Sequence, residues 1–291
     1  MTRSVLIALL LITIPTVGLS DSNVNQTNRY AYAANVGWID YAAEITNGAV
    51  VGEYVCSNYV HGANVGWIHM GAGTPTNGIR YANVSAADYG VNLISPNKLR
   101  GYAYGANIGW VNFEDDGDPR IDLETGHLEG YAYSANMGWI SLSNLQATVQ
   151  MENVQPGLDS DVDGITDAWE LTYTNTIGTF DGATDSDLDG ALDINEYLAG
   201  TDPTDTGSLF RIVAIANVDA TNTMLRWSSE TSRLYRIQMV VSLTNVPNWV
   251  DSGLGLQHAG ASNETSKLLY GDMGTQRFYR VRAVRPLSPT S

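Results

Sequence analysis

The chain has 291 residues and carries 31 acidic against 15 basic side chains, which gives a formal net charge of −16 at pH 7. This acidity argues against a nucleic-acid-binding role, because such proteins neutralise phosphates with clustered lysine and arginine. A single cysteine, Cys56, excludes an intrachain disulfide. In an exported protein such a cysteine is either buried and inert or free for intermolecular pairing, and its apolar neighbours favour burial.

The first 20 residues have the pattern of a secretory signal peptide. Arg3 precedes an apolar run from Val5 to Ile14, and small residues follow at Gly18 and Ser20. The run is too short for a permanent membrane helix, and no later segment approaches the roughly 18 continuous apolar residues that a span requires. The sequence therefore predicts export and a mature chain from about residue 21. The expected location is secreted or cell-surface, without an integral membrane segment.

Residues 21–150 contain a fourfold repeat with the shared core A-N-[VIM]-G-W-[IV]. Its tryptophans are Trp38, Trp67, Trp110 and Trp139, spaced by 29, 43 and 29 residues. In each copy, β-prone arms flank Asn-x-Gly, whose residues tolerate the positive φ of a tight turn, so each copy predicts a β-hairpin. The pattern predicts an all-β domain of stacked hairpins and leaves a sandwich, a propeller-like ring and a solenoid open.

The aromatic residues of the repeats have two interpretations. Bulky side chains at repeated positions are typical of a continuous buried core, so we expect the four tryptophans to pack between the hairpins. The alternative is a carbohydrate-binding surface, and both interpretations stay open for the outer tyrosines Tyr30, Tyr102 and Tyr131. The repeat resembles the GYAxSxNxGWI repeats of secreted bacterial proteins, and this resemblance implies no specific activity.

Two twelve-residue segments, 159–170 and 185–196, match the calcium-loop pattern D-x-[DN]-x-[DN]-G-x5-E in full. Calcium takes six to eight oxygen ligands, and such a loop supplies them from side chains and from one backbone carbonyl. The first predicted ligand set is Asp159, Asp161, Asp163, the Ile165 carbonyl, Asp167 and Glu170. The second set is Asp185, Asp187, Asp189, the Ala191 carbonyl, Asp193 and Glu196. The sequence thus predicts two bound Ca²⁺ ions.

These loops lie in a segment, 151–204, with 13 acidic and no basic residues. Cations would relieve the mutual repulsion of the carboxylates, and their binding energy would become folding energy. Short helices are expected after each loop, over 165–173 and 191–198, whereas glycine and proline before each loop argue against an incoming helix. Without paired helices, we expect a structural connector and not a calmodulin-like switch.

The second loop and its continuation resemble a known calcium module. The run Asp185-Ser-Asp-Leu-Asp-Gly190, followed by Gly200-Thr-Asp-Pro203, is similar to thrombospondin type 3 repeats of bacterial secreted proteins. The resemblance covers residues 159–205, with a weaker match in the first copy. It implies Ca²⁺ binding by the two ligand sets named above.

The C-terminal part of the chain reads as short alternating strands. They are predicted over 210–215, 224–227, 234–241, 267–270 and 278–284, with turn-rich stretches at 219–222 and 254–263. This pattern predicts a β-sandwich over 206–286, and outward-facing arginines are expected at Arg226, Arg236, Arg280 and Arg282. Phe278-Tyr-Arg-Val-Arg282 resembles small fibronectin type III-like domains that follow calcium repeats. We expect a disordered tail over 287–291.

No catalytic residues are predicted. The sequence lacks a nucleophile elbow, an HExxH motif and a phosphate loop, and its four histidines lack metal-ligand spacing. The acidic run Glu114–Asp118 keeps a glycoside hydrolase-like enzyme as an alternative, since such enzymes use carboxylate pairs.

Taken together, these patterns predict a mainly β, multidomain chain. Its parts are a signal peptide (1–20), a hairpin-repeat domain (21–150), a short helical calcium-binding connector (151–205), a β-sandwich (206–286) and a tail (287–291). The predicted role is that of a secreted, non-catalytic calcium-binding protein with a structural or adhesive function. An extracellular glycan or a surface protein is the candidate partner.

Overall fold

The computed structural model describes residues 21–219, 221–243, 247–270 and 276–288. The predicted signal peptide, residues 1–20, lies outside this range. The molecule is mainly β, as the sequence predicts, with two short α-helices. Within the described ranges, no helix has the length and apolar character needed to cross a membrane.

The first thirteen strands precede both helices. They are β1 (Val24–Ala33), β2 (Gly37–Asp40), β3 (Val50–Val51), β4 (Cys56–Gly62), β5 (Gly66–Ala72), β6 (Val91–Ile94), β7 (Lys98–Gly105), β8 (Gly109–Phe113), β9 (Arg120–Ile121), β10 (Leu128–Glu129), β11 (Tyr131–Ser134), β12 (Gly138–Ser141) and β13 (Val149–Met151). The helices are α1 (Asp167–Tyr173) and α2 (Asp193–Ala199). The remaining strands are β14 (Ile212–Asn217), β15 (Asn222–Ser228), β16 (Leu234–Val240), β17 (Val250–His258), β18 (Glu264–Tyr270) and β19 (Phe278–Val284).

The four repeats fold into four hairpins, β1–β2, β4–β5, β7–β8 and β11–β12, as predicted. Neighbouring hairpins pair side by side through antiparallel contacts, and β12 pairs back with β1. The result is one closed eight-stranded barrel, which leaves these strands without a free edge. It is none of the three arrangements that the sequence left open, because the hairpins share one continuous sheet.

All four hairpin turns are built in the same way. In the first turn, Gly37 follows the loop 34–36 with a φ of +85°, a left-handed conformation that glycine adopts without a Cβ clash. The residue between the asparagine and the glycine packs against the barrel core; these residues are Val36, Val65, Ile108 and Met137. Small residues make room for them: a Cβ on Gly105 would lie 2.7 Å from Ile108 Cγ1. The variable apolar position of the repeat therefore closes one end of the barrel.

The asparagine of each turn ties its hairpin to the preceding one. In each case Nδ2 donates to a backbone carbonyl: Asn64 to Val36 (2.9 Å), Asn107 to Val65 (3.0 Å), Asn136 to Ile108 (2.9 Å) and Asn35 to Met137 (3.0 Å). We call these four bonds the asparagine ring. The ring is closed, so the last repeat is joined to the first just as the others are joined to each other.

The prediction that the tryptophans form the core is wrong. Trp38, Trp67, Trp110 and Trp139 are exposed by 49%, 41%, 45% and 48%. Side chains alternate along a strand, so the aliphatic residue after each tryptophan faces inward instead, as Ile39 does with 1% exposure. An eight-stranded barrel has just enough interior space for such side chains. Cys56 lies in the same core, as predicted, and burial raises the pKa of its thiol to about 12.

The C-terminal strands form two three-stranded antiparallel sheets, β14-β15-β18 and β17-β16-β19. Trp227 from the first sheet and Tyr235 from the second lie in one buried cluster. The predicted turn over 254–263 is wrong in its first half, because β17 runs through it. Gly253 and Gly255 adopt positive φ inside this strand, where its register against β16 shifts, so the glycines mark an irregular strand.

The predicted outward-facing arginines Arg226 and Arg236 are exposed, and they form ion pairs with Glu264 and Asp251. One further prediction for this region needs correction. The predicted disordered tail begins at Leu287, but Leu287 packs against the barrel core. Residues 289–291 of the predicted tail lie outside the described ranges.

Candidate metal centres in the connector

The two acidic loops fold alike, and each brings its first three aspartates together. Carboxylate oxygens of Asp159, Asp161 and Asp163 lie within 4.8 Å of one another, and those of Asp185, Asp187 and Asp189 do the same. The glycine at loop position six donates its N–H to the first aspartate, at 3.1 Å in both loops. Gly164 and Gly190 do this at φ values of +96° and +98°. The pattern residue therefore has its expected turn-forming role.

The glutamate that ends each loop is buried beneath these aspartates. Glu170 and Glu196 are 0% and 1% exposed. Glu170 Oε1 accepts a hydrogen bond from the Gly178 N–H at 2.6 Å. Within the described chain, the buried carboxylate oxygens without a hydrogen-bond partner are Asp163 Oδ2, Glu170 Oε2, Asp185 Oδ1, Asp187 Oδ2, Asp189 Oδ2 and both oxygens of Glu196. Burying an unpaired carboxylate is costly, so these groups need either a proton or a positive counter-charge.

The pKa values of these carboxyl groups are shifted in the direction that burial without a partner predicts. Burial, followed by repulsion from neighbouring aspartates, raises the pKa of Asp163, Glu170 and Asp187 above their usual range. The same two causes raise the pKa of Glu196 to about 7. A divalent cation would remove the repulsion and pair with the buried oxygens. Both sets are made of oxygen donors only, which is the chemistry that Ca²⁺ prefers.

The aspartates at loop position nine are not part of the clusters. Asp167 accepts hydrogen bonds from the backbone N–H and the hydroxyl of Ser160, at 2.7 Å and 2.6 Å. Asp193 accepts the equivalent pair from Ser186, at 3.0 Å and 2.9 Å. Both aspartates stand in the first turn of α1 or α2, where the helix dipole favours an acidic group. They hold the start of each loop against its outgoing helix.

This bracing role was missed from the sequence, although a signal for it was present. Serine occupies loop position two in both copies, at Ser160 and Ser186, as part of a repeated Asp-Ser-Asp. Serine and aspartate side chains bond readily to backbone groups, and in both copies an aspartate at the start of the predicted helix follows this serine seven residues later. The predicted outgoing helices are confirmed, and both begin two residues later than predicted.

An aromatic cluster packs beneath the two loops. Ile165, from loop position seven, is fully buried with Trp169, Phe180 and Tyr197. The ring centroids of Trp169 and Phe180 lie 5.3 Å apart, and those of Trp169 and Tyr197 lie 5.5 Å apart. Ala191 at the same position of the second loop is only half-buried. The connector thus has a small core that joins the first loop to α2.

The connector also contacts the residues on both sides of it. The Tyr197 hydroxyl donates to Glu53 Oε2 at 3.1 Å, and Arg285 pairs with the same oxygen at 3.0 Å. The buried Arg233 donates to the carbonyls of Tyr197 and Leu198, at 2.7 Å and 2.9 Å. A cation at this end of α2 is favoured by the helix dipole. The last turn of α2 is therefore held by groups from the barrel and from the C-terminal strands.

Two carboxylates of the acidic run Glu114–Asp118 are held in ion pairs. Asp115 forms an ion pair with Arg100, and Asp118 pairs with Lys98 and Arg120. The hydrogen bond from Lys98 lowers the pKa of Asp118, whereas a general acid of a glycoside hydrolase needs a raised pKa. This observation disfavours the hydrolase alternative at Asp115 and Asp118.

No protein-family model, no curated protein and no solved structure matches this chain. The resemblances to thrombospondin type 3 repeats, to GYAxSxNxGWI repeats and to fibronectin-like domains therefore rest on the residues quoted for them.

Proposed function

We propose that the connector binds two Ca²⁺ ions and that these ions fix its backbone. The observation that carries this proposal is the set of buried carboxylate oxygens without partners in both loops. The aspartate clusters and the terminal glutamates supply most of the ligands, namely Asp159, Asp161, Asp163 and Glu170 at one site and Asp185, Asp187, Asp189 and Glu196 at the other. The aspartates at loop position nine, Asp167 and Asp193, act through their hydrogen bonds from Ser160 and Ser186. The carbonyls of Ile165 and Ala191 complete the two ligand sets.

Calorimetric titration of the EGTA-treated protein with Ca²⁺ tests this proposal. We expect two sites in the parent protein, one site in Glu170→Gln and one in Glu196→Gln, because each change removes a charged ligand from one loop only. Glu44→Gln is the matched control: it removes an exposed charge whose hydrogen bond is to Asn47, outside the loops. Absence of binding at millimolar Ca²⁺ would refute the proposal.

The wider role follows from the same arrangement. We infer a secreted, non-catalytic protein in which the connector separates a barrel domain from a C-terminal fibronectin-like sandwich, with a structural or adhesive role outside the cell. The shared buried cluster of the two C-terminal sheets supports the sandwich. Ca²⁺ is often millimolar outside the cytoplasm, where even weak sites are filled.

The exposed tryptophans favour a second function, carbohydrate binding. Each tryptophan contacts the two aromatic side chains that face outward on the preceding strand, with ring centroids 4.7 to 6.2 Å apart. The aromatic belt is formed by Tyr30, Tyr32, Trp38, Tyr59, His61, Trp67, Tyr102, Tyr104, Trp110, Tyr131, Tyr133 and Trp139. Aromatic faces of this size bury the apolar face of a sugar ring effectively.

Tryptophan fluorescence during titration with soluble polysaccharides tests the second function. Of the three tryptophans outside the belt, Trp169 and Trp227 are buried and Trp249 is half-buried beneath Arg280. In a Trp249→Phe variant, the exposed tryptophans of the belt therefore dominate a ligand-dependent change. We expect quenching or enhancement of the fluorescence that saturates as the polysaccharide concentration rises. The change should be absent when buffer without polysaccharide is added. A flat response to every polysaccharide would exclude the belt as a glycan-binding surface.

A further inference from the structure

The outer surface of the barrel has a groove at each junction between neighbouring repeats. In every groove a residue two positions after one tryptophan pairs across the strands with an aromatic residue of the next repeat. These four residues are Asp40, His69, Asn112 and Ser141, and they face His61, Tyr104, Tyr133 and Tyr32. The grooves are equivalent in position and differ in what fills them.

In three grooves the chain itself satisfies this polar residue. Asp40 forms an ion pair with Arg29 at 3.0 Å. The Ser141 hydroxyl donates to the Ser143 carbonyl at 3.0 Å. His69 Nδ1 lies 2.8 Å from the Tyr89 hydroxyl. The fourth residue, Asn112, has a buried Oδ1 without a hydrogen-bond partner in the described chain.

Tyr89 indicates what kind of ligand such a groove accepts. Its ring lies 5.0 Å from the Trp110 ring, 6.3 Å from Tyr104 and 5.5 Å from His69. A six-membered ring with a hydroxyl group therefore occupies the groove between the second and third repeats. The ring meets the Trp110 ring edge to face, at an interplanar angle of 86°, and its hydroxyl contacts the polar residue. This is an internal example of the recognition that an external ring would need.

The groove between the third and fourth repeats has the same walls and is open. Its cavity of about 360 Å³ is lined by Asn112, Tyr131, Tyr133 and Trp139, with Glu114 and Asp116 at its side. Trp139 and Tyr133 correspond to Trp110 and Tyr104 of the groove that Tyr89 fills. The Tyr133 and Trp139 rings are 5.0 Å apart.

We propose that this groove is a binding site for one non-acidic pyranose ring of a glycan. The ring packs on Trp139 and Tyr133, as the Tyr89 ring packs on Trp110. Its hydroxyl groups donate to Glu114 and Asp116 and exchange hydrogen bonds with the amide of Asn112. The proposal rests on the glycan-binding function of the aromatic belt and names the site and the class of sugar.

Charge and hydrogen bonding separate this ligand from others. Apart from its tyrosines, the titratable side chains that line the groove are acidic, so a uronic acid, a sulfated sugar or a phosphate would be repelled. A phenol offers one hydroxyl, whereas two carboxylates and an amide require several donors, which a pyranose supplies. Sites that bury hydrogen-bonding groups discriminate strongly against ligands that leave those groups unpaired.

Fluorescence titration with neutral hexasaccharides of glucose, mannose and N-acetylglucosamine tests the proposal, alongside polygalacturonate and p-cresol. For the hexasaccharide that binds the parent protein, we expect Trp139→Ala to weaken binding about tenfold or more and Asp116→Asn about threefold or more. Trp249→Ala is the control, because Trp249 lies outside the belt, beneath Arg280 in the C-terminal part of the chain, and it should change the Kd less than about twofold. Trp67→Ala, on another repeat of the belt, tests whether binding is confined to this groove. A thermal melt of each variant establishes that the barrel is folded.

The outcomes separate the two proposals. Absence of binding by every hexasaccharide would overturn both the belt and the groove. Binding that Trp67→Ala weakens as much as Trp139→Ala would retain the belt and overturn the groove. Tighter binding of polygalacturonate than of neutral sugars would also overturn the groove, as would p-cresol binding as tightly as the hexasaccharide. If Trp139→Ala does not fold, Asp116→Asn decides the question, since Asp116 is exposed.

Discussion

At the scale of single residues, side-chain size inside the barrel determines whether the turns fit. Gly62 and Gly105 occupy positions where Ala33 and Ser134 stand in the other repeats, next to the apolar residue of each turn. The glycines accompany Val65 and Ile108, the residues that a Cβ would approach at 2.6 Å and 2.7 Å. The end of the barrel is therefore filled by matched pairs of residues.

Gly105→Ala tests this matching. We expect the variant to lose about 1–3 kcal/mol of unfolding free energy, because the added methyl group overpacks against Ile108. Urea denaturation measures the loss. Adding Ile108→Val in the same chain should restore part of it by removing a methyl group from the contact. A double variant as unstable as the sum of the two single variants would contradict the proposed contact.

His69 makes stability depend on pH. Burial lowers its pKa below 6.5 in the folded protein, beside the Tyr89 hydroxyl. As the pH falls through 6.5, the unfolded chain binds a proton at this residue before the folded chain does, so the unfolding free energy decreases. Urea denaturation at about pH 7.5 and about pH 5.5 measures this decrease. His69→Asn, which installs the residue of the third repeat, should reduce it; an unchanged decrease would assign the effect to other groups.

At the scale of elements, the asparagine ring connects hairpins that are also joined through strand pairing and the shared core. Asn107 and Val65 belong to different hairpins, so their hydrogen bond stabilises the arrangement of hairpins and not the turn itself. The repeat keeps asparagine at this position in all four copies because each copy receives one such bond and makes one.

Asn107→Ala removes one bond of the ring. We expect a loss of about 1 kcal/mol in unfolding free energy, the usual contribution of one hydrogen bond, plus the cost of leaving the Val65 carbonyl unpaired. Asn175→Ala, at an exposed position in the connector, is the matched control and should be neutral. Equal effects of the two substitutions in urea denaturation would argue against the ring as a stabilising element.

The elements also define what the sequence could predict. The hairpins were predictable because Asn-x-Gly fixes a local turn, and the outgoing helices because Gly200 ends α2 in a left-handed conformation. Barrel closure was not predictable, since the pairing of β12 with β1 joins residues more than a hundred positions apart. The direction of the tryptophans was misjudged because alternation leaves open which face of a strand is interior.

At the scale of the whole molecule, the connector is predicted to respond to Ca²⁺ while the barrel does not. The buried carboxylates lie in residues 159–196, whereas the barrel core consists of apolar residues outside this segment. The candidate ligands were predictable because loop spacing is local. The contacts of Glu53 with Tyr197 and Arg285 were not, since they join three distant parts of the chain.

Hydrogen exchange on Glu170→Ala and Asp161→Ala tests this division. In Ca²⁺ we expect faster exchange over residues 159–205 than in the parent protein, with unchanged protection in the four hairpins, because each substitution removes a ligand of one ion. Glu44→Ala serves as the control. Simultaneous loss of protection in barrel and connector would mean that they unfold as one unit.

The closed asparagine ring has a consequence for chain topology. Since Asn35 contacts Met137 as every other asparagine contacts its predecessor, the barrel has no structurally distinct first or last hairpin. The pairing of Val24 with Met151 places the first and the last strand of the N-terminal sheet side by side. A circular permutant that begins before Cys56 and ends after Asp40 would thus keep every strand pairing of the barrel, with the order of hairpins rotated by one.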